Sequence, residues 1–162
     1  MLNILTLGDP ILKKTSALVP DIDGNIASLA AEMFQSMEQA RGLGLAAVQV
    51  GRLVRVFITQ VPRDKPRVFI NPDILETSIE QVPYEEGCLS IPGLNADLDR
   101  PASIRVQAWN EKGRPFTMTV EGLLARVIQH ELDHLNGVLF IDRLEAKKRG
   151  RLLTEYDEKL RL

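Results

Sequence analysis

Both histidines of this 162-residue chain stand four residues apart in one run, Gln129-His130-Glu131-Leu132-Asp133-His134. Around them Leu124, Val127, Ile128, Leu132 and Leu135 fall on or near one face at helical spacing. The segment from about Glu121 to Leu135 therefore reads as an amphipathic helix, ending at Asn136-Gly137 where a left-handed cap fits. Side chains at i and i+4 share a face, so both imidazoles project together from a helix that is apolar around them. Uncompensated imidazoles in such surroundings are costly. The helix must be packed inside a fold, and something must satisfy its ring nitrogens.

The flanking sequence supplies the layers for that packing. From about Asn25 to Arg41, Ile26, Leu29, Ala30, Met33 and Met37 keep the 3.6-residue period. Asp23 or Asn25 can cap the start, Gly42 suits the end, and Met33 and Met37 read as core. Short β-rich runs follow at Val54–Thr59 and Val68–Ile70, the second stopped by Asn71-Pro72. Ile104–Trp109 and Phe116–Val120 alternate, with Asn110-Glu111-Lys112-Gly113 as a hairpin turn between them. A last helix is expected over about Arg143–Leu160, with Leu144, Leu152, Tyr156 and Leu160 as a packed stripe. Strands in the middle and helices at both ends predict an α+β fold: a mixed or antiparallel sheet around the central histidine-bearing helix, with N-terminal and C-terminal helices. We expect one catalytic domain over 1–162, of which 143–162 is the C-terminal helix.

Composition narrows the function. Apolar residues at 44% and charged residues at 26% allow a real core. A net charge of −2 argues against a generic polyanion binder, DNA included. No apolar run approaches a membrane span, and Asn3, Thr6 and Gly8-Asp9-Pro10 interrupt the N-terminus too early for a signal-peptide core. Cys88 is the only cysteine, so no intrachain disulfide forms, in keeping with a reducing compartment. The expectation is a soluble, cytoplasmic protein.

His130 and His134 have the spacing that lets two ring nitrogens bind one metal ion, with Glu131 placed to work on water at the ion. Two solvent-facing histidines on an amphipathic helix are the plainer alternative. A third ligand is needed. The extended pattern HExxHxxGxxH would put a histidine where this chain has Phe140. Glu145, Glu155 and Glu158 lie on a charged face that reads as solvated. Cys88, in Glu86-Gly87-Cys88-Leu89-Ser90, is the better candidate, because a thiolate suits zinc or iron(II); otherwise it is a small buried hydrophobe. One thiolate and two imidazoles leave a tetrahedral position open, as catalytic sites do. Gly42-Leu43-Gly44-Leu45-Ala46-Ala47 imitates a dinucleotide fingerprint, but it follows a helix and leads into strand-like sequence, so no nicotinamide or flavin site is expected. It is either a plain helix-to-strand turn or a backbone that, with Gln49, lines a pocket.

Together, Gly42–Gln49, Glu86–Ser90 and Gln129–His134 resemble the three motifs of the peptide deformylases, in order, and the resemblance runs from Gly8-Asp9-Pro10 to Phe140-Ile141-Asp142. It implies removal of the N-formyl group from methionine-initiated nascent polypeptides, with release of formate. It also implies one divalent metal, iron(II) in the cell and nickel, cobalt or zinc in preparations, held by Cys88, His130 and His134. Glu131 would move the proton, while Gln49 and the Leu89 N–H would hold the oxyanion. Gly44 and the segment after Cys88 would bind the extended peptide, and Ile128 is expected to line the methionine pocket.

At the rim, Asn95, Asp97 and Asp99 stand where a relative carries arginine, which predicts faster processing of peptides with basic residues downstream. Arg100 is expected to be structural. Lys147, Lys148, Arg149 and Arg151 read first as a solvated helix face, and alternatively as a dock for the ribosome. A zinc endopeptidase is weakened by Phe140 and by the cysteine ligand. A non-catalytic metal-binding or ribosome-associated protein is disfavoured because Glu131 and Gln49 are both present.

Overall fold

The computed structural model describes residues 1–160. After a 3-10 turn at Pro10–Lys13, helix α1 spans Gly24–Gln39 and strands β1 (Gly44–Ala46) and β2 (Val56–Thr59) follow. Next come β3 (Arg67–Thr77), β4 (Gln81–Cys88), β5 (Ile91–Pro101), β6 (Ser103–Trp109) and β7 (Pro115–Glu121). Helices α2 (Gly122–Leu135) and α3 (Ala146–Leu160) close the chain, separated by a 3-10 turn at Phe140–Arg143. The expected α+β class holds, and the sheets are antiparallel: five strands in the order β1-β2-β3-β6-β7, and the separate hairpin β4–β5. No helix among the described residues is long and apolar enough to cross a membrane.

The five-stranded sheet is filled on both faces. Val56 and Ile58 of β2 pack with Met33 and Met37 of α1, while Phe57 between them packs with Ala125 and Ile128 of α2. This is the alternation that a strand's period of two demands. Phe57 stacks on Phe69 at 4.7 Å, and burying each such ring contributes about 1.5–3 kcal/mol. Helix α3 covers the hairpin instead: Tyr156, with Leu152 beside it, packs on Ile91, Leu94, Ala96 and Leu98.

Several boundaries differ from the sequence expectation. Asn71-Pro72 does not end β3. Asn71 adopts φ 50°, the register to β6 shifts between Ile70 and Asp73, and the strand resumes to Thr77 as a bulge allows. The hairpin β4–β5 was not expected, although Leu94, Ala96, Leu98 and Arg100 alternate inward with Asn95, Asp97 and Asp99 outward. Asp23 caps α1 by accepting from the N–H groups of Asn25 and Ile26, but Arg41 at φ 59°, not Gly42, takes the left-handed position after it. The last helix starts at Ala146 because Phe140–Arg143 coils into its own turn. Leu160 is exposed, so it does not extend the packed stripe of Leu144, Leu152 and Tyr156.

β3 runs on into β4, and β5 into β6, as one long ribbon. Across its bend, the Ser78 N–H donates to Ser103 O and the Ala102 N–H to Glu80 O, both at 2.9 Å. The ribbon's tip is the two-residue turn Leu89-Ser90 between the paired Cys88 and Ile91. That tip lies against α2.

Candidate metal centre

Two elements converge here. One face of α2 presents His130, Glu131 and His134, and the ribbon tip brings Cys88 from the end of β4. Cys88 Sγ lies 3.3 Å from His134 Nε2, and the ligand atoms of Cys88, His130 and His134 all fall within 4.8 Å of one another. The histidines are buried and the cysteine is half-buried. His130 donates its Nδ1–H to Glu86 Oε1 at 2.9 Å, which fixes the tautomer and leaves Nε2 free for a ligand. Burial pushes the pKa of His134 well below its ordinary value, favouring the neutral ring that binds metals.

Glu86 is the hub of a buried charge network. Arg100 grips it through Nε and Nη2 at 2.6 and 3.0 Å, and Arg126 Nη1 adds a bond at 2.7 Å. Arg100 also reaches Asp133 at 2.9 Å, which Arg143 holds from outside at 2.6 and 2.7 Å. Burial works against the Glu86 charge, but hydrogen bonds from His130 and Arg100 outweigh it and hold the carboxyl far below the usual range. Arg126 spends further donors on the carbonyls of Leu98 and Val82, and its guanidinium stands 5.7 Å over the Tyr84 ring. Strand β4, strand β5 and α2 are thereby clasped together.

Burial pushes the Glu131 carboxyl up to about 7, helped by the charges of Glu86 and Asp133 and opposed by His130 and Arg100. A pKa near neutrality suits a group that must take a proton and give it back. Its Oε1, although buried, has no hydrogen-bond partner among the described residues. Gly44 makes room for this carboxyl: a Cβ there would meet Glu131 Oε2 at 2.6 Å and Val127 Cγ1 at 2.7 Å. A thiol and two imidazoles turned toward one point, beside a carboxylate oxygen with no internal partner, fit a divalent cation with zinc-like or iron-like preferences and water at its open position.

Cys88, His130 and Glu131 line a cleft of about 500 Å³, and His134 lies behind them, outside its lining. Gln49 and Leu89 border it, with Gln49 Nε2 3.7 Å from Cys88 Sγ. Ile128 does not border it. Fully buried, Ile128 packs among the sheet residues, and Leu123 and Val127 of α2 supply the apolar wall with the Tyr84 ring. The rim also differs from expectation: Glu85 and Asn95 line the cleft, whereas Asp97 and Asp99 lie outside its lining. Arg100 is structural, as expected. Phe140 is buried with its ring 6.1 Å from that of His130, and Glu145, Glu155 and Glu158 are exposed. Sequence reasoning missed Glu86, Arg126, Asp133 and Arg143. A signal existed: Arg126 sits one turn before His130 on a helix expected to be buried, and a buried arginine requires acidic partners.

The sequence model of the family described as polypeptide deformylase matches residues 1–150. The chain belongs to the polypeptide deformylase family. A peptide deformylase of Agrobacterium fabrum is 43% identical over 162 residues, covering 98% of this chain and 95% of its own. One from Neisseria meningitidis serogroup B is 46% identical over 157 residues, covering 96% and 93%. The crystal structure of the Ehrlichia chaffeensis peptide deformylase in complex with actinonin superposes with a TM-score of 0.95 at 38% identity, covering 100% of this chain and 99% of that one. Deformylase-family enzymes are metal-dependent, and the Cys88, His130 and His134 cluster is the group here that can hold the ion.

Proposed function

We propose that Cys88, His130 and His134 hold one divalent metal ion, iron(II) in the cell, and that Glu131, Gln49 and the Leu89 N–H carry out deformylation beside it. The reaction hydrolyses the N-formyl group of a methionine-initiated nascent polypeptide: R–NH–CHO and water give the free amine and formate. A bound divalent cation supplies Lewis acidity, acidifying water and polarising the formyl oxygen. Glu131 accepts the proton of the attacking water and delivers it to the amine nitrogen as the C–N bond breaks. Gln49 Nε2 and the Leu89 N–H stabilise the oxygen on which negative charge develops, and losing one such donor costs about a hundred- to a thousand-fold in turnover. Leu123, Val127 and the Tyr84 ring form the apolar wall for the methionine side chain. Gly44 lets an extended peptide backbone approach.

The observation that supports this reading most directly is the approach of Cys88 to His134 beside the unpartnered Glu131 oxygen. Formate release from formyl-Met-Ala-Ser, measured anaerobically on iron or nickel enzyme, tests it. Glu131→Ala is expected to lose about 10²–10⁴-fold. Stripping the metal with a chelator abolishes turnover, and air inactivates the ferrous form because iron and thiolate both oxidise. Full activity in Glu131→Ala would overturn the assigned proton transfer.

The reading places the enzyme in the cytoplasm, acting as one catalytic domain. It also assigns Lys147, Lys148 and Arg151 of α3 to docking on ribosomal RNA, since Arg149 is engaged with Asp142 at 3.1 Å. Salt-dependent co-sedimentation with ribosomes that persists unchanged in a chain ending at Asp142 would remove that assignment.

A further inference from the structure

The carboxamide of Gln49 is held at both ends. Its Oε1 accepts the backbone N–H of Ala46 at 2.9 Å, and its Nε2 donates to Ser90 Oγ at 2.9 Å. Both residues are buried, Gln49 at 1% exposure and Ser90 at 0%. The Ala46 N–H needs an acceptor, so the carbonyl end of the amide is fixed and the NH2 end must face Ser90. A primary amide has two N–H donors. Ser90 takes one, and the other points to Cys88 Sγ, a long contact of 3.7 Å on the side of the cleft.

The chain brings these two residues together from different places, the 3-10 turn after β1 and the tip of the ribbon. One N-terminal stretch then ties their backbones. The Leu5 N–H donates to Gln49 O at 2.7 Å, and the Leu7 N–H donates to Ser90 O at 2.8 Å. Alternate amides of one N-terminal segment thus hold both halves of the pair, whose side chains hold each other.

We propose that Ser90 is a positioning residue for deformylation: its hydroxyl takes one amide proton of Gln49 and thereby aims the other at the formyl oxygen. This rests on the role given to Gln49 under Proposed function. Released from Ser90, the amide turns about its terminal bonds, and small misplacements of an oxyanion donor forfeit much of its effect. The apolar wall that holds methionine is untouched, so the loss falls on kcat.

A double-mutant cycle on the nickel-loaded enzyme tests this. Ser90→Ala is expected to lower kcat about tenfold with KM essentially unchanged, and to add nothing further in a Gln49→Ala background. An equal loss in both backgrounds, or no loss in either, overturns the proposal. If Gln49→Ala itself leaves kcat intact, the role of Gln49 falls, and the proposal falls with it. The pin is read separately by NMR on the zinc-loaded protein. The Gln49 side-chain amide protons, assigned by their loss in Gln49→Ala, exchange slowly in the wild type and at least about tenfold faster in Ser90→Ala. Equal exchange overturns the pin whatever the kinetics. Ser90→Cys, close in size but a poor acceptor, gives the same readout should Ser90→Ala fail to fold.

Discussion

The sheet with its two helices is held by apolar packing, whereas the hairpin that ends in the ribbon tip adds a buried charge network to its apolar contact with α3. The candidate metal centre sits where the two meet. Around β2, side chains from both faces interlock with α1 and α2 in apolar contact. The hairpin β4–β5 shares no ladder with the larger sheet beyond its bend, and reaches α2 through Glu86, Arg100, Arg126 and Asp133. Apolar packing sets a helix face but tolerates small slides. Bidentate charge pairs fix distance and angle. A thiol delivered from the end of a long ribbon needs the second kind of restraint; His134 beside the core relies on the first, and His130 draws on both through its bond to Glu86.

The sharpest way to break this division is Glu86→Ala. It removes the carboxylate shared by two buried guanidinium groups, leaving Arg100 with Asp133 and Arg126 with backbone carbonyls, so a loss of about 3 kcal/mol is expected in chemical denaturation. Hydrogen exchange should accelerate mainly over residues 81–101, and uniform acceleration would show that the hairpin has no separate restraint. Ile128→Ala is the counterpart on the apolar side. It should cost about 2–5 kcal/mol with exchange rising across β2, β3 and β6, while the hairpin follows only through global unfolding.

The two lips of the cleft offer a finer comparison, because the sheet side carries Arg41 and the hairpin side Glu85, both exposed. Peptides with lysine downstream of methionine should surpass glutamate-bearing ones by about two- to fivefold in kcat/KM if the hairpin lip dominates, and Glu85→Lys should reverse the order. Equal values for the two peptide sets would assign no selectivity to the rim charges.

The smallest effect concerns Asp142, which bridges Lys13 at 2.7 Å and Arg149 at 3.1 Å. Burial raises its pKa, but the Lys13 and Leu139 hydrogen bonds and the nearby cations outweigh this and bring it below the ordinary value. The folded state therefore gains stability above the unfolded pKa and loses it as pH falls through the lower folded value. Asp142→Asn should be less stable than wild type by up to about 1 kcal/mol at pH 7, the gap closing in acid. A gap that persists in acid would exclude the charge as its cause.

What the sequence disclosed follows the same boundary. Met33, Met37 and Leu135 advertised their burial through period alone, and His130, Glu131 and His134 through spacing on a helix. The hairpin was harder to see because its outward face is charged, and Tyr84-Glu85-Glu86 on β4 carries no clean alternation. Glu86 stood in plain view beside Cys88, but its use depends on Arg100 and Arg126, which no local pattern links to it. Ile128 lies off the cleft, against expectation, for a related reason. Periodicity places residues on a helix face but does not say which edge of that face meets the cleft, and Val127 lies one residue and about 100° away.

The empty space at Gly44 has a consequence for variation. Most single replacements of a glycine are judged by whether the chain still folds, and at Gly24 or Gly150, where an added carbon meets nothing within 4 Å, tolerance is expected. At position 44 the added atom would meet the Glu131 carboxylate and the buried Val127 side chain at almost the same distance, so it presses on the packed face of α2 as well as on the carboxyl. Replacements there are therefore expected to displace both side chains, so a screen by solubility and a screen by turnover should each return mainly glycine.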